Sequence, residues 1–270
     1  QGPLAHAVRP ESYIEINNFY TPTVYEKGAE LCRMMQTLIG RPAFRKAMDL
    51  FFERHDGDAA TVEQFVACMA DASGRNLSQF FRWYEQAGTP VISVRTRHDP
   101  VRQTFDVTLT QMTPPTPGQE QKLPQHVPLA IGLVGEDGGD LPLHLDGTGA
   151  LNHPVIELTE AEQTFRFTGL RQRPVLSLNR GFSAPVMLRT DASEDDLLFL
   201  MAHDSDSFNR WDMAQGLTRD LLIRAYRALS TATALPDVTA FSGALAQTLR
   251  DPTLDDAFKA LMLEFPPEAE

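Results

Sequence analysis

Two tyrosines near the beginning of the chain are the residues whose type and spacing most suggest chemistry. Tyr20 and Tyr25 lie in the segment 14–29, around a predicted helix start, and Lys27 and Gly28 follow in its first turn. A phenol is neutral at pH 7 and can donate a hydrogen bond. Held near the positive end of a helix, such a donor stabilises an oxyanion as it develops. The same pattern also fits two tyrosines that cap a hydrophobic core, because tyrosine is often partly buried.

The other reactive residue types form no recognisable motif. The seven histidines include no His-x-x-x-His pair, and the sequence has no HExxH, CxxC, nucleophile elbow, P-loop or dinucleotide-binding motif. We interpret the isolated histidines as surface or loop residues. The adjacent pairs His98-Asp99 and His203-Asp204 are interpreted as turns, since neighbouring side chains point apart on a strand or a helix. We therefore expect no metal ligand and no cofactor within this chain.

The composition limits the classes of partner. The 270 residues carry 36 acidic and 24 basic side chains, a net charge of −12. This balance argues against nucleic acid, because phosphate binding needs clustered Lys and Arg. The two cysteines, Cys32 and Cys68, are too few for a disulfide framework, and we interpret both as small buried hydrophobes. No apolar run approaches the ~18–20 residues of a membrane span. The stretch from Gln1 and Gly2 lacks the pattern of a signal peptide.

Helical periodicity dominates residues 23–88. The pattern predicts four helices, of which the second begins near Pro42, a favoured residue in a first turn. Capping-box spacing predicts the starts of the other three, at Thr23 with Glu26, Thr61 with Gln64, and Asn76 with Gln79.

The periodicity changes to that of strands after Thr89-Pro90. Short alternating runs predict strands near 91–94, 105–109, 129–133, 141–145, 154–158, 163–168, 174–179 and 185–189. The proline-rich stretch 113–118 is predicted to be a loop. About 100 residues of short strands favour an antiparallel β-sandwich over a barrel.

From Asp191 the pattern is helical again. Ser193 is a predicted N-cap, and the three acidic residues that follow it complement the helix dipole. Further helices are predicted near 208–229, 237–250 and 253–264. Pairs of helices joined by short loops fit the opening of a helical array, although the sequence shows no repeat. The predicted fold class is multidomain α + β.

The segment Asn17–Ala29 resembles the conserved-tyrosine segment of the bacterial alanyl aminopeptidase N family, zinc peptidases of the gluzincin type. The resemblance continues, in matching order and spacing, through 52–57, 81–84, 88–90, 113–117, 161–165, 182–186 and 208–212. It implies that residues 1–89 are the C-terminal helical part of a thermolysin-like catalytic domain. Residues 90–190 would then be a β-sandwich domain, and residues 191–270 the beginning of a helical C-terminal domain.

The resemblance also implies a function. The HExxH helix, the glutamate that completes the zinc site and the Gly-x-Met-x-Asn loop lie upstream of the matching region. We therefore expect an internal fragment, inactive alone, of a zinc aminopeptidase that removes N-terminal amino acids by metal-activated water attack. Tyr25 matches the tyrosine that donates to the oxyanion, and Tyr20 resembles one that lines the pocket for the substrate's first side chain. The implied partners are peptides with a free N-terminus, with no nucleic acid and no membrane, for a monomeric, cytoplasmic parent. The alternative is a non-catalytic scaffold with the same architecture.

Overall fold

The structure, a computed structural model, describes residues 5–267. Gln1 and Gly2, which the signal-peptide interpretation uses, lie outside the described residues. A short 3-10 helix (Ile16–Phe19) and a π-helical segment (Thr23–Lys27) come first. The α-helices are α1 (Gly28–Ile39), α2 (Arg41–His55), α3 (Val62–Ser73), α4 (Arg82–Glu85), α5 (Glu194–His203), α6 (Ser207–Thr231), α7 (Thr239–Arg250) and α8 (Asp256–Leu261). The strands are β1 (Val91–Asp99), β2 (Thr104–Met112), β3 (Val127–Val134), β4 (His144–Leu145), β5 (Gly149–Ala150), β6 (Val155–Leu158), β7 (Glu162–Thr168), β8 (Val175–Leu178) and β9 (Met187–Thr190).

The order of helices, strands and helices confirms the predicted fold class. Two caps are confirmed as well. The Thr61 hydroxyl accepts from the Gln64 amide at the start of α3, and Ser193 accepts from the Asp196 amide at the start of α5. Both pairs are local, so the sequence alone determines them.

The predicted capping box at Thr23 is wrong. Pro22 occupies the N-cap position, and the Thr21 hydroxyl accepts instead from the Val24 amide at 3.3 Å. The fourth predicted helix is also too long, because only Arg82–Glu85 is α-helical. The Gln79 side chain does not cap it; its amide donates to two carbonyls of the strand region, those of Pro124 and Thr159.

The strands form two sheets, with orders β5-β4-β7-β2-β1-β9 and β6-β3-β8. Every pairing is antiparallel except β1 with β9, which is parallel. The chain leaves the small sheet at β8, turns through a 3-10 helix (Arg180–Phe182) and arrives at the edge of the large sheet. This crossover explains the one departure from the antiparallel prediction, since a parallel neighbour cannot be reached by a hairpin.

The first helices and the sandwich share a hydrophobic core. Strand β3 is buried along nearly its whole length within this core, and it contacts α1. Trp83 of α4 is fully buried in this core, and its indole N–H donates to the His126 carbonyl at 2.8 Å. The C-terminal helices have a separate, smaller core around Met201 and Leu217. The segment that carries the tyrosines is therefore attached to the larger core.

A buried polar cluster joins the sandwich to the C-terminal helices. Asp204 accepts from the Ser177 hydroxyl at 2.5 Å and pairs with Arg180 at 2.8 Å, while Asn209 donates to Ser177 at 2.8 Å. Burial raises the pKa of Asp204, and hydrogen bonding from Ser177 and the charge of Arg180 act against that rise. The Arg180 guanidinium occupies the space that a Cβ on Gly132 would need, so a larger residue at that position of β3 would displace it.

Two interpretations of individual residues change. His98-Asp99 is the end of strand β1 and not a turn, because both residues pair with β2. The second pair, His203-Asp204, does lie at a helix end. Cys68 is fully buried as expected, whereas Cys32 is only partly buried. Both cysteines are free thiols.

Candidate functional site

The segment Glu15–Gly28 presents the two tyrosines on two short, tightly wound pieces of chain. The 3-10 helix Ile16–Phe19 begins where the Glu15 amide donates to the Asn18 side chain at 3.2 Å. After it the chain turns at Tyr20 and enters the π-helical segment, in which Tyr25 is the middle residue. π-helical turns are rare and are found frequently at functional sites. The backbone alone therefore marks this segment as unusual.

Both predicted site tyrosines are exposed and close together. The Tyr20 side chain is 60% exposed and Tyr25 is 58% exposed, so neither caps the core. Their ring centroids lie 6.1 Å apart with a 30° angle between the planes. Phe19 and Tyr13 extend the contacts, with centroid distances of 6.3 Å from Tyr20 to Phe19 and 6.0 Å from Phe19 to Tyr13. The result is an aromatic row on the surface, with Tyr20 and Tyr25 at one end and Tyr13 at the other.

Lys27 fastens the π-helical segment to the link between the helices and the sandwich. Its ammonium donates to the Gly88 carbonyl at 2.7 Å and lies 5.5 Å from the centre of the Trp83 ring. Burial first, and the nearby charge of Lys122 second, together lower the pKa of Lys27 to about 8. Sequence reasoning placed Lys27 in the first turn but gave it no role, because its partner lies 61 residues away.

The N-terminal extension holds the other side of the segment. The His6 ring contacts the Thr21 hydroxyl at 2.9 Å, and Val8 is buried beside Gly28. Arg9 forms an ion pair with Glu63 and donates its backbone amide to the Tyr84 carbonyl. The segment is thus held at Thr21, Lys27 and Gly28, while the two tyrosine side chains are exposed.

Within residues 5–267 no group of three or more His, Cys, Asp or Glu side chains is placed to hold a metal ion. His126, interpreted from sequence as a surface or loop residue, does lie in the loop before β3 but is buried there, with its Nε2 at 2.8 Å from Glu157. Its burial was not expected, because its partner comes from strand β6, 31 residues further along.

Two surface grooves lie away from the tyrosines. One, of about 390 Å³, lies between α5 and α6 and is lined by Leu217, Arg224 and neighbouring residues. The other, of about 300 Å³, lies beside α3 and is lined by Val66, Leu77 and Phe81. Neither groove includes Tyr20 or Tyr25. None of the helices in the described part of the chain has the length and apolar character to cross a membrane.

Comparison with known families divides the chain into three parts. Residues 2–84 match the family described as Peptidase family M1 domain. Residues 88–191 match a domain of unknown function (DUF3458) with an Ig-like fold, and residues 194–270 match DUF3458_C, described as ARM repeats. The class that these matches define, together with the fold and the exposed tyrosines, is that of the M1 peptidases.

Individual proteins that are similar to this chain indicate which kind of M1 peptidase it resembles. The chain is 48% identical over its whole length to Aminopeptidase N of Caulobacter vibrioides, of which it covers 30%. It is 49% identical to Aminopeptidase N of Escherichia coli over 80% of the chain and 24% of that protein. The structure of Legionella pneumophila aminopeptidase A in complex with aspartic acid superposes on 98% of the chain and 29% of its own length, with a TM-score of 0.82 at 26% identity. The chain belongs to the aminopeptidase N family and spans about 30% of the length of this relative from Caulobacter.

Proposed function

We propose that this chain supplies part of the active site of a zinc aminopeptidase, which removes N-terminal amino acids from peptides with a free amino terminus. The observation that carries the proposal is the exposed Tyr25 phenol on a π-helical turn, in a chain 48% identical to Aminopeptidase N of Caulobacter vibrioides. Tyr25 is the catalytic residue of this proposal, and Tyr20 is the substrate-binding residue.

Tyr25 has the properties of an oxyanion donor. Its side chain is exposed while its backbone amide is fixed by a 3.0 Å bond to the Thr21 carbonyl. It precedes α1, whose N-terminal dipole favours negative charge nearby. A donor held in place before the reaction costs no reorganisation when charge develops on the carbonyl oxygen. Removal of such a donor typically lowers the rate on the order of 10²- to 10³-fold.

Tyr20 supplies a surface for the side chain of the residue to be cleaved. Its ring stands 6.1 Å from that of Tyr25, so a substrate whose carbonyl reaches Tyr25 has its first side chain within reach of Tyr20. An aromatic face gives apolar contact without a fixed hydrogen-bonding requirement. The family resemblance suggests broad side-chain use, with Ala, Arg and Lys favoured, and such a surface would fit it.

Zinc, as cofactor, belongs to the proposal through the family likeness. The described residues do not form its ligand set, so its ligands and the general base would lie in the part of the relatives that this chain does not cover. We therefore expect this chain to be inactive alone. The same likeness supports the division into catalytic helices (1–89), sandwich (90–190) and C-terminal helices (191–270), and a monomeric, cytoplasmic parent.

The test compares hydrolysis of an alanyl fluorogenic amide and of its N-acetylated form by the whole zinc-loaded protein, with this chain as control. We expect cleavage of the free amine alone, loss of kcat with Tyr25→Phe, and no turnover by the isolated chain. Equal cleavage of the acetylated substrate would contradict an aminopeptidase. A whole protein that cleaves neither substrate would favour the non-catalytic scaffold.

A further inference from the structure

We propose that Lys27 is a positioning residue for Tyr25, which acts by anchoring the π-helical turn to the carbonyl of Gly88. The inference rests on the proposed function, since a positioning role requires that Tyr25 take part in the reaction. It adds a residue to the site that contacts no substrate and acts only through the tyrosine.

Lys27 and Tyr25 share one turn of the backbone. Both lie within the five-residue π-helical segment, and the Tyr25 carbonyl accepts from the Gly28 amide that follows Lys27. The two side chains nevertheless have opposite environments. Tyr25 is exposed, whereas the Lys27 ammonium is at 2.7 Å from the Gly88 carbonyl and beside the fully buried Trp83 ring. The turn is therefore fixed on its inner side and open on its outer side.

The Gly88 carbonyl that accepts the Lys27 bond is itself held in place. Gly88 has a φ of +93°, and a Cβ there would lie 3.3 Å from the Thr113 side chain. The link between α4 and β1 is therefore tightly packed at this residue. The preceding Ala87 donates its amide to the Gln119 side chain at 2.8 Å and accepts from the Lys122 ammonium at 3.0 Å. An anchor to this link places Tyr25 relative to the whole shared core and not only relative to α1.

A π-helical turn needs stabilising contacts from other parts of the chain. Such turns are rare and short because the α-helical hydrogen-bonding pattern is the more stable default. Without the Lys27 bond, the segment is free to relax toward a regular α-helical turn, which changes the direction of the Tyr25 side chain. A displacement of about 1 Å at a reacting group can cost on the order of 100-fold in rate.

The test uses the whole enzyme and two readouts, of which the first is independent of activity. Hydrogen exchange of the amides in Thr23–Gly28 is compared between wild type, Lys27→Met and Lys46→Met. Lys46 is an exposed lysine of α2 and serves as the matched control. We expect faster exchange in this segment with Lys27→Met alone. Unchanged exchange would overturn the anchoring role.

The second readout is a kinetic cycle with Tyr25→Phe. We expect Lys27→Met to lower kcat about 10- to 100-fold with KM changed less than about 3-fold. In a Tyr25→Phe background the same change should have almost no further effect, because it acts through the missing phenol. An equal loss in both backgrounds, or an equal loss with the control Lys46→Met, would mean a general structural role and would overturn the proposal. If Tyr25→Phe alone left kcat unchanged, the proposed function would be contradicted. If Tyr25→Phe greatly lowered kcat but Lys27→Met left it unchanged, only the positioning role of Lys27 would be contradicted.

Discussion

Glu157 of β6 connects three parts of the shared core, and replacing it by glutamine should weaken the folded chain in a pH-dependent way. Its carboxylate accepts from Arg75 at 2.5 Å and from His126 at 2.8 Å. Arg75 also donates to the Leu38 carbonyl at the end of α1. Partial burial by itself raises the pKa of Glu157, but the hydrogen bonds from His126 and Arg75 and their charges outweigh it and bring the pKa to about 2.

The magnitude follows from that pKa. A fall from 4.5 to about 2 corresponds to about 3 kcal/mol at most, at roughly 1.4 kcal/mol per unit. The Glu157 side chain is 34% exposed, and solvent screening reduces the value, so we expect about 1–2 kcal/mol. Because the folded pKa is the lower one, this stabilisation is complete above about pH 4.5 and is lost as the pH falls toward about 2.

The assay is urea unfolding of the 270-residue chain at several pH values, followed by tryptophan fluorescence. Glu157→Gln should lower the free energy of unfolding by about 1–2 kcal/mol at pH 7, and the deficit should shrink below about pH 4.5. Glu120→Gln, an exposed change of the same charge, should have almost no effect. A deficit absent at pH 7, or one that grows as the pH falls, would refute the reasoning.

Two further predictions concern the same core and its link. Trp83→Phe should lower the free energy of unfolding by about 1–3 kcal/mol, because the His126 carbonyl loses its donor; an unchanged urea midpoint would contradict the importance of that bond. Gly88→Ala should lower the free energy of unfolding by about 1–3 kcal/mol, because φ is +93° and the new Cβ would crowd Thr113. Gly216→Ala should instead raise it by up to about 1 kcal/mol, because Gly216 lies in the middle of α6 with no atom near the new Cβ. Thermal unfolding of the two glycine variants checks the opposite signs, and a shift in the same direction for both would contradict the argument.

Local patterns in the sequence were sufficient for much of the fold. The caps at Thr61 and Ser193 depend on partners three residues away, and both are confirmed. The change from helical to strand periodicity at Pro90 precedes β1 by one residue. The predicted cap at Thr23 is wrong although its spacing to Glu26 fits a capping box, because the hydroxyl of Thr21, two residues earlier, accepts from the Val24 amide instead.

Long-range contacts were not available to sequence reasoning. The bond from Lys27 to Gly88 joins residues 61 apart, and the contact of His126 with Glu157 joins residues 31 apart. No pattern in one sequence indicates which lysine or histidine finds a buried partner. The π-helical turn belongs to this group, because its stability depends on the same distant link. The exposure of Tyr20 and Tyr25, which leaves their side chains available to a substrate, likewise required the structure.

The most direct test of the central proposal is kcat for alanyl amide hydrolysis by the whole zinc-loaded protein, compared between Tyr25→Phe and Tyr13→Phe. Both change an exposed tyrosine of the same aromatic row, and only Tyr25 lies on the π-helical turn. We predict a loss of kcat on the order of 10²- to 10³-fold for Tyr25→Phe, with KM little changed, and less than about 3-fold for Tyr13→Phe. An active protein in which both variants keep wild-type kcat would contradict the assignment of Tyr25 as the oxyanion donor.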